Sequence, residues 1–453
     1  MLHELPDLFC EHHDALDVEA FRAHNAAWMN DNSLSSISDN VRAAATKGEL
    51  TAHKIEMRLS NRGEYSEDAV RFACLRGLDA AFQEVNAVTS SGARTVLNGL
   101  KARGATGAQL DSGQHGGALL LRTRASPRAT GPEHPRDAFT AVVRVPPEYW
   151  EKGEHVVLPE SAMLHRHDIT GGITVACAPV VADPDEMVIE ADERDGIRVY
   201  RIGPANQTVT HARIKEVVAA MRGSGARVGI APEATLTPEL LETWCSELRA
   251  TSGQGDRLHW VLAGSGDLDG QSTPVNAAVL LDAHTGDVLV RQDKIYRFDM
   301  DSATLDLWSL TDLLGDAKVR EDMSPGHRLK IIDGGGIRLA ILVCEDAGRL
   351  MDLGAVVRSF AVSHVLMPVF SRPLAKHRWE QGAGDAFAAE IGATTIVANS
   401  QVQQTLASGK KKDRGSAMVV TPEDVRVGDV SGPQEVAVFT LHADGSVTNH
   451  NPA

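Results

Sequence analysis

The stretch Leu339-Ala-Ile-Leu-Val343 is a short apolar run that stops abruptly at Cys344-Glu345-Asp346-Ala-Gly348. Such a run reads as a buried strand, and the acids and glycine after it read as a sharp turn into a helix. A thiol at a strand-to-helix turn has the geometry of a nucleophile, because neighbouring backbone N–H groups can face the oxygen of the attacked carbon. Two more ionisable residues stand at the same kind of place: Glu233 follows Val228-Gly-Ile-Ala-Pro232, and Lys294 ends Val288-Leu-Val-Arg-Gln-Asp293. Open α/β folds put their sites at strand ends. An ammonium near a thiol lowers its pKa and steadies an oxyanion, while a carboxylate can take and return the proton. Singly, each residue has an ordinary reading, the cysteine as a small buried apolar group and the others as solvated charges.

Outward from these three residues, β-rich runs alternate with helical stretches from Ile173 onward, the pattern of strand–helix units. Strands are expected at 173–178, 198–201, 227–230, 259–263, 277–282, 288–293, 329–333, 338–343, 364–367, 394–398, 417–421 and 436–441, with helices at 209–221, 238–250, 353–361 and 375–391. Thr285-Gly286, between two β-branched runs, predicts a hairpin and hence a sheet that is not wholly parallel. From about Leu16 to Leu100 the spacing of apolar residues is helical, and Ser66 ahead of Asp68 and the run Val70, Phe72, Leu75, Leu78, Phe82 predicts a capped amphipathic helix. The Gly- and Pro-rich stretches that follow, with short apolar runs at 118–121 and 139–145, suggest a linker or small β element. The expected division is a helical region over 1–110, a linker over 111–170, an α/β domain over 171–445 and a tail over 446–453.

The chain has 453 residues, 43% hydrophobic and 23% charged, which is ordinary globular composition and excludes fibres and disordered tails. With 45 Lys and Arg against 61 Asp and Glu, the formal charge is −16. An acidic chain repels phosphate backbones, so no nucleic-acid partner is expected. The five cysteines, Cys10, Cys74, Cys177, Cys245 and Cys344, are scattered and form no C-x-x-C pair, which argues against a disulfide framework or zinc knuckle. No basic, apolar leader follows Met1 and no run approaches a membrane span. These features predict a cytoplasmic, soluble protein without a membrane partner. His12-His13 and His165-x-His167 lack a third ligand nearby, so no metal is expected. Gly223-Ser-Gly225, Gly264-Ser-Gly266 and Gly409-Lys410 miss the spacing of nucleotide-binding loops.

Taken with their surroundings, Gly229-Ile-Ala-Pro-Glu233, Asn276-Ala-Ala-Val-Leu-Leu-Asp282 with Gly286 and Asp293-Lys294, and Cys344-Glu-Asp346 resemble the nitrilase superfamily of carbon–nitrogen hydrolases, whose catalytic set is Glu, Lys and Cys in that order. Ala398-Asn399-Ser400 and Gly415-Ser416 followed by Ala417–Pro422 extend the likeness, which covers about Ile173 to Leu441. The resemblance implies a four-layer αββα sandwich, pairing into homodimers or larger homo-oligomers, and a mechanism without cofactor or metal. It implies that Cys344 attacks a carbonyl or nitrile carbon, that Glu233 serves as base and acid, and that Lys294 steadies the tetrahedral intermediate before water hydrolyses the thioester. Amide substrates are favoured over nitriles, since amidases outnumber nitrilases in that superfamily. In this reading the helical N-terminal region recruits a protein partner or covers the pocket; the alternative is a hydrolase fold kept as a binding or regulatory scaffold.

Many members of that superfamily use a second Glu between the Lys and the Cys. The only one here is Glu321, 27 residues beyond Lys294; Asp301 and Asp306 are nearer but shorter. An apparent insertion at 305–317 lies close by. Glu345, Arg349 and Arg372 are expected to bind substrate, and the basic residues Arg349, Arg372, Lys376, His377, Arg378, Lys410–Lys412 and Arg414 suggest a substrate carrying an anionic group.

Overall fold

The computed structural model describes residues 5–86, 109–110, 116–123, 134–164, 169, 171–253, 257–270, 274–308, 310–315, 318–376, 378–402 and 415–450. The chain divides into two compact units, Met1–Val157 with Val356–Ala361, and Leu158–Ala355 with Val362–Ala453.

In the first unit, α1 (Leu5–Asp14), α2 (Val18–Asn30), α3 (Asn32–Thr46), α4 (Ala52–Ser60) and α5 (Glu67–Asn86) follow one another with short turns. Side-chain oxygens cap the first turns of α2, α3 and α5: Asp17 accepts from Ala20 N at 2.7 Å, Asp31 from Leu34 N at 2.9 Å and, as the sequence predicts, Ser66 from Ala69 N at 3.2 Å. Their apolar faces meet in an aromatic core around Phe9, Phe21, Phe72 and Phe82. Of the stretch expected to be a linker or small β element, residues 116–123 and 134–157 belong to this unit. The antiparallel sheet of β1 (Gln109–Leu110), β2 (Ala118–Leu121) and β3 (Val142–Val145) delivers Leu119, Leu121 and Val142 to the same core, beside Phe139. Asp79 of α5 fixes the entry to β3, accepting from the backbone N–H groups of Thr140, Ala141 and Val142 at 2.8–3.1 Å. That tie spans some sixty residues and leaves no local trace in the sequence. The helix α6 (Pro147–Lys152) and strand β4 (Gly153–Val157) follow in the same unit.

The second unit contains β5 (Ile173–Cys177), β6 (Met187–Arg194), β7 (Ile197–Pro204), α7 (Gln207–Gly223), β8 (Val228–Ile230), α8 (Pro238–Thr251), β9 (Trp260–Asp267), β10 (Asn276–Asp282), β11 (Val288–Asp293), β12 (Asp299–Met300), α9 (Ser302–Leu307), α10 (Thr311–Leu314), β13 (Val319–Glu321), β14 (Leu329–Asp333), β15 (Arg338–Ile341), α11 (Glu345–Gly348), the start of α12 (Leu353–Ser359), which from Val356 on belongs to the first unit, β16 (His364–Val369), α13 (Trp379–Ile391), β17 (Thr394–Asn399), β18 (Ala417–Val420), β19 (Val425–Gly428), β20 (Ala437–Leu441) and β21 (Val447–Asn449). A four-stranded sheet has the order β12-β13-β7-β6; of the two larger sheets, one has the order β11-β10-β9-β8-β5-β20-β21, and in the other, strands of this unit run β19-β18-β17-β16-β15-β14. Both larger sheets mix parallel and antiparallel neighbours.

Side chains alternate along the first of the larger sheets. Ala176, Val261, Ala263, Val279 and Leu281 pack on Ile214, Val217, Leu240 and Trp244 of α7 and α8, while the residues between them face the other sheet. Gly334, in the turn from β14 to β15, lies so near the Trp260 ring that an added Cβ would fall 2.3 Å from it. Gly384 of α13 also packs closely on Val420 of β18, where an added Cβ would fall 2.8 Å away. Helices thus cover the outer faces of two sheets that face each other, the expected αββα arrangement of an α/β fold.

The hairpin at Thr285-Gly286 is present. Asp282 accepts from His284 N and Thr285 N, and Gly286 has φ +71° with Cys245 O where a Cβ would stand, so only glycine fits. The β6–β7 hairpin was absent from the sequence reading although Asp195-Gly196, both at positive φ, carries its signal. Within the expected tail, Val447–Asn449 form β21, which pairs with β20. No helix among the described residues is long and apolar enough to cross a membrane.

Candidate active site

Glu233 sits three residues past β8, Lys294 directly after β11, Glu321 at the end of β13 and Cys344 in the turn from β15 into α11. Four separate strand ends therefore converge. The Lys294 ammonium, 1% exposed, donates to Glu233 Oε1 at 2.8 Å and to Glu321 Oε2 and Oε1 at 2.7 and 3.0 Å. Asn276 Nδ2 bridges the same two carboxylates at 3.0 Å each, and its backbone carbonyl accepts from Lys294 N at 2.8 Å. The remaining Glu233 oxygen accepts from Phe370 N at 3.1 Å, and Glu321 Oε2 also accepts from Phe298 N at 2.8 Å. Each carboxylate is thus held by at least three donors.

Cys344 has φ +47° and ψ −104°, a backbone state that L residues with a side chain rarely adopt. Its N–H donates to Pro368 O at 3.1 Å, anchoring the elbow to β16. Such strain is kept where surrounding structure imposes it, commonly at a reacting group. Asp346, two residues on, is buried and accepts from Ile295 N at 3.1 Å and Tyr296 N at 2.7 Å. The elbow is thereby tied to the segment that carries Lys294.

Burial is the largest influence on the Cys344 thiol and lifts its pKa well above the usual cysteine value; the Glu233 carboxylate adds to this, and Lys294 opposes it. The resting sulfur is therefore a thiol that needs a base. For Lys294, burial works against the charge, but Glu233 and Glu321 together outweigh it and hold the group well above the usual lysine value, as an ammonium. Burial raises Asp346 to about 7.

These groups open onto one pocket. Its charged and polar lining is Glu233, Asn276, Lys294, Glu321 and Cys344; the rest is Tyr200, Ile202, Ala234, Phe298, Trp308 and Phe370. The sequence reading of Glu233, Lys294, Cys344 and Glu321 thus converges on one cavity. The two shorter acids do other work: Asp301 caps α9 through Thr304 N at 2.8 Å, and Asp306 bonds the Thr311 hydroxyl.

The expected substrate-binding residues do not join the lining. Arg349 pairs with Glu345 at 2.6 Å and lies over the Tyr296 ring, and Arg372 belongs to the surroundings of Glu380. Among the described lining residues Lys294 is the sole cation, and two carboxylates already hold it. Of the basic residues behind the expected anionic substrate, the described ones, Arg349, Arg372, Lys376 and Arg378, are not among these lining residues. His377, Lys410–Lys412 and Arg414 lie outside the described residues, as do His165 and His167. The described residues contain no cluster of three or more metal-ligating side chains.

No protein-family model and no curated sequence matches the chain. Its fold is similar to solved structures of nitrilase and carbon–nitrogen hydrolase proteins. An amidase from Nesterenkonia sp. is 16% identical, with 62% of this chain and 91% of that one covered and a TM-score of 0.38. Nit3 of Saccharomyces cerevisiae, a member of branch 10 of the nitrilase superfamily, is 12% identical over 62% of this chain and 94% of that one, with a TM-score of 0.38. A glutamine-dependent NAD+ synthetase from Acinetobacter baumannii is 12% identical over 61% and 47%, with a TM-score of 0.41. The chemistry of the site rests on its own geometry.

Sequence reasoning assigned no role to Asn276, Tyr200, Phe298, Trp308 or Phe370. Asn276 stood inside a quoted motif, and its place next in line to Lys294 across β10 and β11 was the available signal. The aromatic residues carry no such signal, since they meet only through tertiary packing.

Proposed function

We propose that this chain is a carbon–nitrogen hydrolase of the nitrilase type, an amidase working through a thioester on Cys344. The observation that carries the reading is the Lys294 ammonium bridging Glu233 and Glu321 in the pocket where the strained Cys344 elbow opens. Glu233 takes the thiol proton, and the sulfur attacks the amide carbon. The oxyanion that forms is stabilised by the Lys294 ammonium, which is held in place before reaction and needs no reorganisation. Glu233 returns the proton to the departing amine, leaving the acyl group on sulfur. A water then gives its proton to Glu233 and attacks the thioester, and the thiol is restored. Glu321 keeps the ammonium charged and aimed, with Asn276 fixing the spacing of the two carboxylates.

Intact mass after incubation with a panel of small amides and nitriles tests this. An acyl adduct that maps to Cys344 and decays to free acid is expected. Absence of any adduct, with no loss of substrate, would leave the fold as a scaffold.

A further inference from the structure

The lining of the Cys344 pocket has two chemistries. One part is the charged cluster, in which two carboxylates share a single ammonium and leave negative charge in excess. The other is an aromatic wall. Trp308 enters it from the segment Ser302–Leu314, where the sequence suggests an insertion, and its ring centroid lies 5.9 Å from Phe298 and 5.7 Å from Phe370. Met300, Leu305, Leu310 and Leu314 back this wall. Its one phenol, Tyr200, donates to Phe298 O at 3.0 Å, so the hydroxyl is engaged within the wall itself.

We infer that the pocket takes a neutral amide with a short apolar acyl group, and that Trp308 sets the acceptable length; this rests on the amidase reading above. A carboxylate on the acyl chain would shed its water against aromatic carbon and meet a cluster of like charge. A methylene pressed on the same wall gains affinity, roughly fourfold for each one fully buried. Trp308 comes from a segment that none of the four reacting residues occupies, so it can vary without disturbing them.

The test separates binding from chemistry. With Cys344→Ala, which cannot form the adduct, calorimetry compares acetamide through heptanamide, and pentanamide against glutaramic acid, its counterpart with a terminal carboxylate. Pentanamide is expected to bind at least tenfold more tightly than glutaramic acid, with affinity rising along the series until the chain reaches Trp308. Adding Trp308→Ala should move the longest chain that still gains affinity by two or more carbons, and Trp308→Phe by less. Equal binding of pentanamide and glutaramic acid, or an unchanged length limit in both Trp308 variants, overturns the inference. Intact mass of the wild type with the same amides keeps the two failures apart. Selective binding without a Cys344 adduct refutes the amidase reading and leaves the selectivity standing, whereas adduct formation insensitive to Trp308 refutes the selectivity alone.

Discussion

Both units bury charge, but they do so to different ends. In the helical unit, Asp79 is enclosed and its carboxylate spends itself on three backbone N–H groups and the Thr140 hydroxyl, while Arg144 is buried against Asp14 at 2.7 Å and the carbonyls of Gly116 and Val145. Every donor there meets a fixed acceptor, and the neighbours are strands and turns that need pinning. In the α/β unit, Lys294 is equally buried, yet it lies in a cavity with one carboxylate more than it needs and beside a thiol on a strained elbow. A buried ion pair alone therefore says little about chemistry. The surplus charge, the empty space and the unusual backbone state distinguish the second case.

Replacing the sulfur breaks this contrast most severely. Cys344→Ala and Cys344→Ser should lower turnover by at least about a thousandfold with folding intact, because no other group can form the thioester. The other four cysteines are buried in packing positions, and their replacement by alanine or serine, one at a time, should keep the rate of the folded protein. Steady-state kinetics with circular dichroism checks both.

Next in size are the charged partners. Lys294→Met leaves two carboxylates uncompensated in the interior, which should cost about 3–5 kcal/mol of stability as well as orders of magnitude in rate. Glu233→Gln keeps the shape of the site but removes the base, so a large rate loss with a small stability loss is expected. Glu321→Gln should reduce the rate by about ten- to a hundredfold. A Glu321→Gln rate equal to wild type would return that residue to a merely structural role.

Asp79→Ala probes the other side of the contrast. Three buried N–H groups lose their acceptor, so roughly 2–4 kcal/mol of stability should vanish while kcat of the folded protein stays put. Urea titration and kinetics on the same sample decide this, and a fall in kcat without loss of stability would contradict it.

The most gradual effect is a pH slope. Burial lifts Asp346 to about 7, above the value of an exposed carboxyl, so the folded chain binds this proton more tightly than the unfolded chain. Its neutral form is favoured by folding, and that stabilisation is present at low pH and lost as pH rises through about 7. The stability of wild type relative to Asp346→Asn should therefore fall between about pH 4 and 7, by at most about 1.4 kcal/mol per unit, and level off above. Paired urea titrations at several pH values measure it, and a rising difference would reverse the assignment.

Much was legible in the sequence because it is written locally. Strand and helix periods, the Ser66 cap, the Thr285-Gly286 turn and the placement of Glu233, Lys294 and Cys344 at strand ends all depend on neighbours within a few residues. What only the tertiary structure decided depends on pairings across long stretches of chain. Glu321 reaches Lys294 because β13 lies parallel to β7, with Glu321 opposite Tyr200 more than a hundred residues earlier. Arg349 leaves the pocket because Glu345 and the Tyr296 ring claim it. The strands after residue 110 join the helical core through Asp79, and the aromatic wall forms from four separate segments. A side chain's partner is set by the path of the backbone around it, and long-range strand pairing leaves no periodic mark on the residues it brings together.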